Sequence, residues 1–382
     1  METAALLREL TEARGPSGYE EEVRQIIRAR FAAHAYDVRV DSLGNCIARI
    51  PGTGGAPVVD AMTSSAPAGG APPAGTSSNG ARPALMLTAH MDEIALMVSQ
   101  IEKGFLRVAQ VGGFDPRVLL AQEVIVHGAR ELPGIVVSVP PHFTDPADRE
   151  KPVPLEKLFV DVGLSAQEVE SLVHVGDVVT LRARWTELTG GYAACKSMDD
   201  RAAVAAIVLC LEELSRRSHA WDVYAVATVQ EEVGSHGAMA GAFGVAPAAA
   251  VAVDVTFGMQ PGLSPAEAVK MDGGPSIAMG PNFHPRLFDR LIEAAKAIEL
   301  PYQVEPIPAE SGTDAWHIQV SRSGVPCGLV GIPVKYMHTP VETVCLRDVE
   351  RAGRLLAEFV CRLPLEFVET LETRDALAKG GS

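Results

Sequence analysis

The 382-residue sequence has no long apolar run, no basic cluster and no paired cysteines. No apolar stretch is long enough to span a bilayer, so we expect no transmembrane helix. The first residues lack the basic segment and apolar run of a secretory signal peptide. The six cysteines are scattered and contain no CxxC pair, so we expect reduced thiols in a cytoplasmic protein.

Positive charge is also scarce, because the formal net charge is −15 and no Lys/Arg-rich block occurs. Nucleic acids and anionic membranes attract basic surfaces, so we expect neither as a partner. The hydrophobic content of 47% and the charged content of 21% are typical of a soluble globular protein with a large core. The length predicts two domains or one large domain.

The pattern along the chain predicts an α/β fold with a mostly parallel sheet, helices on both faces and an inserted β-barrel-like domain. Helical periodicity covers residues 2–14 and 18–34, with Ser17 as a candidate cap of the second helix. Strands and helices alternate after residue 186, which is typical of a parallel sheet covered by helices. Short Val/Ile/Leu strands separated by Gly and Pro fill residues 95–185.

We therefore predict a catalytic α/β domain made of residues 1–94 and 186–382, interrupted by a small β domain at 95–185. Gly, Ala, Pro, Ser and Thr dominate residues 53–83. This composition is too poor in core-forming side chains to pack well, so residues 60–82 are predicted to form a flexible insertion.

Side chains that can bind metal occur at five places where an apolar strand ends. They are His90 with Asp92, Asp199 with Asp200, Glu231 with Glu232, Asp254, and His338. In open α/β sheets, ligand sites form at the carboxyl ends of the strands, so these segments are expected to converge. Each signal alone is weak, because an Asp-Asp pair before a helix is more often an N-cap.

The residue types favour one chemistry. Imidazoles and carboxylates without thiolates suit Zn, Co or Mn in a catalytic site better than a structural zinc site. A carboxylate can bridge two cations, and a two-metal site holds its ions about 3.5–4 Å apart. Such a site needs about five ligands and one free base. The candidate ligands are His90, Asp199, Glu232, Asp254 and His338, and Glu231 remains as the general base.

At these positions the sequence resembles the co-catalytic metalloaminopeptidases of peptidase family forty-two. These are the tetrahedral aminopeptidases, which include glutamyl and leucyl enzymes and some relatives with an endoglucanase label. The resemblance covers nearly the whole chain in order, and its motifs include TAHMDEIALMV, KSMDDRAAVAA, TVQEEVGSHGA, AVDVT and SGTDAWHIQV.

The resemblance implies a role for each residue. His90 and Asp254 would bind one metal, Glu232 and His338 the other, and Asp199 would bridge them. Asp92 would orient His90, as carboxylates commonly do for metal-bound imidazoles. Gly312 and Thr313 would line the substrate site, and Trp316 either narrows that site or packs in the core.

The expected function is therefore a dinuclear metal-dependent aminopeptidase that acts on short peptides through a metal-activated water, with Glu231 as base. Two divalent ions per subunit are expected, Zn first, with Co or Mn as alternatives. The resemblance also implies a homo-oligomer built from dimers through the β domain, often a tetrahedral dodecamer that admits only small peptides. N-terminal residue preference, metal identity and dimer versus dodecamer stay open.

Other functions fit the same residues less well. A metal-dependent deacylase or dipeptidase would use the same site. A non-catalytic binding protein on this fold is disfavoured by the intact ligand set. A glycosidase needs two carboxylates free of metal, and here the acids are used as ligands.

Overall fold

A computed structural model describes residues 2–53, 82–147 and 149–371. Apart from Arg82, the predicted flexible insertion lies outside the described residues. The α-helices are α1 Thr3–Glu12, α2 Glu21–Ala32, α3 Ala166–Leu172, α4 Met198–Leu214, α5 His236–Val245, α6 Pro285–Ala297, α7 Asp314–Ile318 and α8 Leu346–Arg362.

The strands of the main sheet are β1 Asp37–Val40, β2 Cys46–Ile50, β3 Ala84–His90, β10 Thr186–Leu188, β11 Tyr192–Cys195, β12 Asp222–Thr228, β13 Ala249–Phe257, β14 Ser276–Met279, β15 Gln303–Pro306, β16 Cys327–Lys335 and β17 Glu342–Cys345. The remaining strands are β4 Ala95–Glu102, β5 Phe105–Val111, β6 Glu123–His127, β7 Glu131–Ser138, β8 Leu158–Asp161 and β9 Val178–Leu181.

The main sheet has eleven strands, nine of them in the order β1-β2-β12-β3-β13-β16-β17-β11-β10. Strand β14 pairs with β16, and β15 extends the sheet from β14. The central strands β12, β3, β13 and β16 are parallel, whereas the strands that flank them along this order are antiparallel. The parallel strands therefore form the centre of the sheet, where both faces are covered.

The two faces of the sheet pack against different helices. In β3, Leu85 and Leu87 belong to a core that also contains residues of α1, α2, α4, α6 and α8. Met86 belongs to a core on the opposite face, which contains residues of α5 and α7. This alternation follows from the two-residue period of a strand. The predicted α/β class with helices on both faces is confirmed.

Strands β4 to β9 form a closed barrel in the order β4-β5-β8-β7-β6-β9. Neighbouring strands in the barrel are antiparallel, and the interior holds its own apolar core, which includes Leu96, Val124, Val160 and Leu181. The chain enters the barrel directly after β3 and returns to the main sheet at β10. The barrel thus lies beside the carboxyl end of β3.

The register of the parallel strands brings their carboxyl ends to one edge. Thr228, the last residue of β12, pairs with His90, the last residue of β3. Asp254 lies in β13, which pairs with β3 on the other side. This edge carries the site described next. Within the part of the chain that the structure describes, no helix is long and apolar enough to cross a bilayer.

Candidate metal centre

His90 and Asp199 form the middle of the site. His90 ends β3 and is buried, and its Nε2 lies 3.0 Å from Asp199 Oδ1. Its Nδ1 lies 3.2 Å from the backbone carbonyl oxygen of Asp92 and 3.5 Å from that residue's carboxylate. The contacts at Nδ1 orient the ring and leave Nε2 directed at Asp199.

The Asp199-Asp200 pair interrupts the start of α4. Both residues have non-helical backbone angles, and the peptide bond between them is cis. The carboxylate of Asp199 lies between two imidazoles, 3.0 Å from His90 and 3.4 Å from His338. Asp200 Oδ2 accepts the backbone N–H of His90 at 3.2 Å. The pair therefore contacts the centre as well as starting the helix.

Asp92 holds the turn that carries the two glutamates. Its Oδ1 accepts the backbone N–H of Glu231 at 3.0 Å, and its Oδ2 accepts that of Glu232 at 3.2 Å. The hydroxyl of Ser17 donates to Asp92 Oδ2 at 2.6 Å. The prediction that Ser17 caps α2 is wrong, because Glu20 occupies that position and Ser17 is bonded to Asp92 instead.

The remaining predicted ligands lie around this middle. His338 Nε2 is 3.5 Å from Glu232 Oε2. Ligand atoms of His90, Asp199 and Glu232 all lie within 4.8 Å of one another. Ligand atoms of His90, Asp200 and Asp254 form a second group within the same 4.8 Å limit. In this group Asp200 takes the place that was predicted for Asp199. The structure thus brings all five predicted ligands to one edge of the sheet.

Burial raises the pKa of several carboxyl groups of the site. Burial raises the pKa of Glu231 to about 7, and the negative charges of Asp314 and Asp199 act in the same direction. Burial also raises the pKa of Glu232 and of Asp254 well above the ordinary value, with a contribution from Asp199. Several carboxyl groups therefore resist ionisation, because the protein itself supplies too little positive charge here.

The two imidazoles supply part of that positive charge. A hydrogen bond with Asp199 raises the pKa of His338 to about 9. Burial opposes the charged form of His90, but hydrogen bonds with Asp199 and Asp92 raise its pKa well above the ordinary value. Burial likewise opposes ionisation of Asp199, yet the hydrogen bonds from His338 and His90 lower its pKa.

The donor set fits divalent cations. Imidazole nitrogens and carboxylate oxygens converge, and these are the ligands of catalytic Zn, Co and Mn sites. Asp200 Oδ1 is buried and has no hydrogen-bond partner among the described residues. A cation would compensate this unpaired oxygen and the excess negative charge together.

Two buried carboxylates were missed as parts of the site. Glu342, at the start of β17, accepts the backbone N–H of Asp199 at 3.1 Å and that of His338 at 2.7 Å. Burial, with the charge of Asp199, raises its pKa to about 8. The carboxylate of Asp314 accepts hydrogen bonds from the hydroxyls of Thr88 and Thr228. The available signal for Glu342 was an acid inside the β-branched stretch VETV.

The predicted substrate residues lie at the start of α7. Thr313 precedes the helix and is buried, with its hydroxyl 2.9 Å from that of Ser311. Gly312 is exposed and has a φ of 60°, and Trp316 is half-buried. Asp314 ties this segment to the carboxyl ends of β3 and β12. Contact of Gly312, Thr313 and Trp316 with substrate stays a prediction.

The site is a cluster of imidazoles and carboxylates at the carboxyl edge of a helix-covered α/β sheet, beside an inserted barrel. This arrangement is typical of a metal-dependent hydrolase. The model of the M42 glutamyl aminopeptidase family matches residues 74–355, and the chain belongs to that family. It is therefore an aminopeptidase, a hydrolase of peptide bonds. A second model, described as AMPT, matches residues 1–27.

Individual relatives agree with this family. A lysyl aminopeptidase of Pyrococcus furiosus is 33% identical over 95% of this chain and 98% of its own. An aminopeptidase structure from Desulfurococcus kamchatkensis matches with a TM-score of 0.85 and 33% identity, covering 97% of this chain and 98% of that one. The TET1 peptidase of Pyrococcus horikoshii, which can assemble into a tetrahedron or a large octahedral shell, matches with a TM-score of 0.78 and 28% identity, covering 95% of this chain and all of that one.

Proposed function

We propose that the protein is a dinuclear metal-dependent aminopeptidase that removes N-terminal residues from short peptides, with Glu231 as general base. The observation that carries the proposal is the convergence of two imidazoles and three carboxylates beside Glu231, whose Oε2 is 4.0 Å from His90 Nε2. Family membership supports the same function.

The residues that would hold the ions are His90, Asp199, Glu232, Asp254 and His338. Asp199 would bridge, because its two oxygens face the two imidazoles separately. When bound, two such cations supply Lewis acidity toward a carbonyl oxygen and lower the pKa of a coordinated water. Zn is the first candidate, with Co and Mn as alternatives.

The protein's own groups handle the proton and the substrate. Glu231 accepts the proton of the attacking water and passes it to the departing amine. The carboxylate of Glu231 is held by the hydroxyl of Ser235 at 3.1 Å, and its backbone is held by Asp92. The free N-terminal amine of the peptide would bind near the residues that hold the ions. Gly312, Thr313 and Trp316 would border the bound N-terminal residue.

The same family likeness supports assembly. We infer that residues 95–185 are a dimerisation domain and that the protein is a homo-oligomer, either a dimer or a tetrahedral dodecamer built from dimers. The barrel exposes large apolar side chains, with Phe105 42%, Ile135 50% and Phe143 77% exposed. Light scattering after size exclusion measures the mass, and a monomer at micromolar concentration contradicts the inference.

The cysteines are unpaired, as we expect of a cytoplasmic enzyme.

The enzymatic test uses metal-stripped protein titrated with Zn, Co and Mn. The substrates are aminoacyl-p-nitroanilides, short peptides and, for comparison, N-acylated amino acids. Metal-restored release of N-terminal residues supports the proposal, and the ranking of Leu, Glu, Asp and Lys substrates defines residue preference. If two metals bind and only the N-acylated compounds are cleaved, the protein is a deacylase on the same fold.

A further inference from the structure

We propose that Glu342 is a positioning residue that holds both His338 and Asp199 in place, and that its loss affects the cation site formed by Glu232 and His338 more than the other site. The inference rests on the proposed dinuclear function and adds a residue to it. Glu342 is 2% exposed and lies at the beginning of β17, within the main sheet. It is therefore held rigidly by the sheet and has little contact with solvent.

Both oxygens of this carboxylate bond to the backbone of predicted ligands. Oε1 accepts the N–H of His338 at 2.7 Å, and Oε2 accepts the N–H of Asp199 at 3.1 Å. Asp199 and His338 come from separate segments of the chain, the start of α4 and the loop between β16 and β17. Their side chains then meet at 3.4 Å, between His338 Nε2 and Asp199 Oδ2. Glu342 thus fixes the separation of these two ligands.

The backbone of His338 needs such a partner. Its φ of 60° lies in the left-handed region, which is unfavourable for a residue with a side chain. The bond from its N–H to Glu342 is one contact that holds the residue there. Without it, the loop can relax and withdraw the imidazole from Glu232, whose Oε2 is 3.5 Å away.

The other cation site has separate supports. His90 is oriented through its ring by Asp92 and through its backbone N–H by Asp200. Asp254 is held by its place in β13. The two sites share Asp199, so loss of Glu342 removes support from two ligands of the Glu232–His338 site and from one ligand of the other site. Metal binding is therefore expected to weaken more at the first of these sites than at the second.

The test is the binding of Co²⁺ to metal-stripped protein, measured by chelator competition and by the visible spectrum. In Glu342→Gln the amide oxygen can accept one N–H, but its NH₂ group then faces the other donor. We expect the second Co²⁺ to bind about 10–100-fold more weakly than in the unaltered protein and the first to lose distinctly less affinity. The matched control is Asp222→Asn, since Asp222 is buried, accepts the backbone N–H of Gly52 and lies at the opposite end of β12 from the metal centre.

The outcomes separate the two proposals. Unaltered protein that binds no Co²⁺ contradicts the dinuclear function itself. Unaltered protein and folded Glu342→Gln that both bind two Co²⁺ ions with equal affinities contradict the positioning role alone. Equal weakening in Asp222→Asn also contradicts it, because the effect is then general destabilisation.

A second variant and a direct measurement cover failure to fold. Glu342→Asp keeps the carboxyl group, but its side chain is one methylene too short to reach both N–H groups, so we expect the same selective loss. Hydrogen exchange on the unaltered protein is independent of any variant. The His338 amide is expected to exchange slowly although it lies in a loop, and rapid exchange overturns the inference.

Discussion

The carboxylate of Asp92 accepts the backbone N–H of Glu231 at 3.0 Å, and its second oxygen accepts that of Glu232. One side chain after β3 therefore orients the residues that follow β12. This is a broader role than orientation of His90 alone, because it couples the predicted base and a predicted ligand to the same group.

Asp92→Asn is expected to lower kcat by about 10–100-fold, since an amide has one acceptor oxygen for three donors. Steady-state kinetics on metal-restored protein measure the effect, with thermal unfolding to confirm the fold. Asp222→Asn again serves as control and should keep its rate. An unchanged kcat in folded Asp92→Asn would show that the two glutamates need no such support.

Glu231→Gln and Glu232→Gln are expected to fail in different ways. The first should retain its metal content and lose activity by about 100-fold or more, because the proton acceptor is removed. The second should bind metal more weakly, because a predicted ligand is removed. Metal analysis beside peptide hydrolysis separates them. Full activity in Glu231→Gln at normal metal content would falsify its assignment as base.

Glu93 makes the fold sensitive to acid. Burial opposes ionisation of this carboxyl, but Lys196 and Arg201 lower its pKa to about 2 from the ordinary 4.5. The charged form thus stabilises the fold fully above pH 4.5, and the contribution disappears as pH falls toward 2. This pKa difference corresponds to about 3 kcal/mol.

The measurement for Glu93 is urea unfolding of the unaltered protein and Glu93→Gln between pH 7 and 3. The variant should be about 3 kcal/mol less stable at pH 7, since Lys196 and Arg201 remain buried without their partner. The gap should narrow on acidification. A gap that is constant with pH would mean that the charge of Glu93 does not stabilise the fold.

Gly353 allows α8 to pack closely on α4. An added Cβ would lie 2.8 Å from the carbonyl oxygen of Ala206 and 2.9 Å from Leu209 Cβ. Gly353→Ala should therefore cost about 1–3 kcal/mol despite alanine's better helix propensity. In Gly244→Ala, near the end of α5, the new methyl group meets nothing within 4 Å, and stability should stay equal or rise by up to about 1 kcal/mol. Equal effects in thermal unfolding would contradict the packing argument.

Trp316 is expected to contribute to residue preference. It is half-buried and lies two residues after Asp314, which is bonded to the ends of β3 and β12. Trp316→Ala should change KM by different factors for Leu and Glu substrates and leave the metal content unchanged. A uniform effect on every substrate, with lower stability, would favour core packing instead.

The α/β class and the candidate ligands could be predicted because their signals are local. Alternating strands and helices appear directly in the sequence. His90, Glu231, Glu232 and Asp254 each end or follow an apolar segment, and Asp199 precedes the apolar part of α4. The carboxyl ends of parallel strands meet at one edge, so the convergence of these segments was also predictable.

Other parts of the site depend on contacts between distant segments. Ser17 has the sequence context of a helix cap, but the approach of its segment to Asp92 gives its hydroxyl a different partner. In the sequence Glu342 is a single acidic residue in a short strand. Only the packing of β17 beside α4 shows that its carboxylate accepts the backbone N–H groups of Asp199 and His338. Sequence alone determined the fold class and the kinds of ligand, because residue type and periodicity are local properties. The tertiary structure decided which carboxylates support the ligands, because the hydrogen bonds from Asp199 to Glu342 and from Glu231 to Asp92 join residues 143 and 139 positions apart, and no local pattern records them.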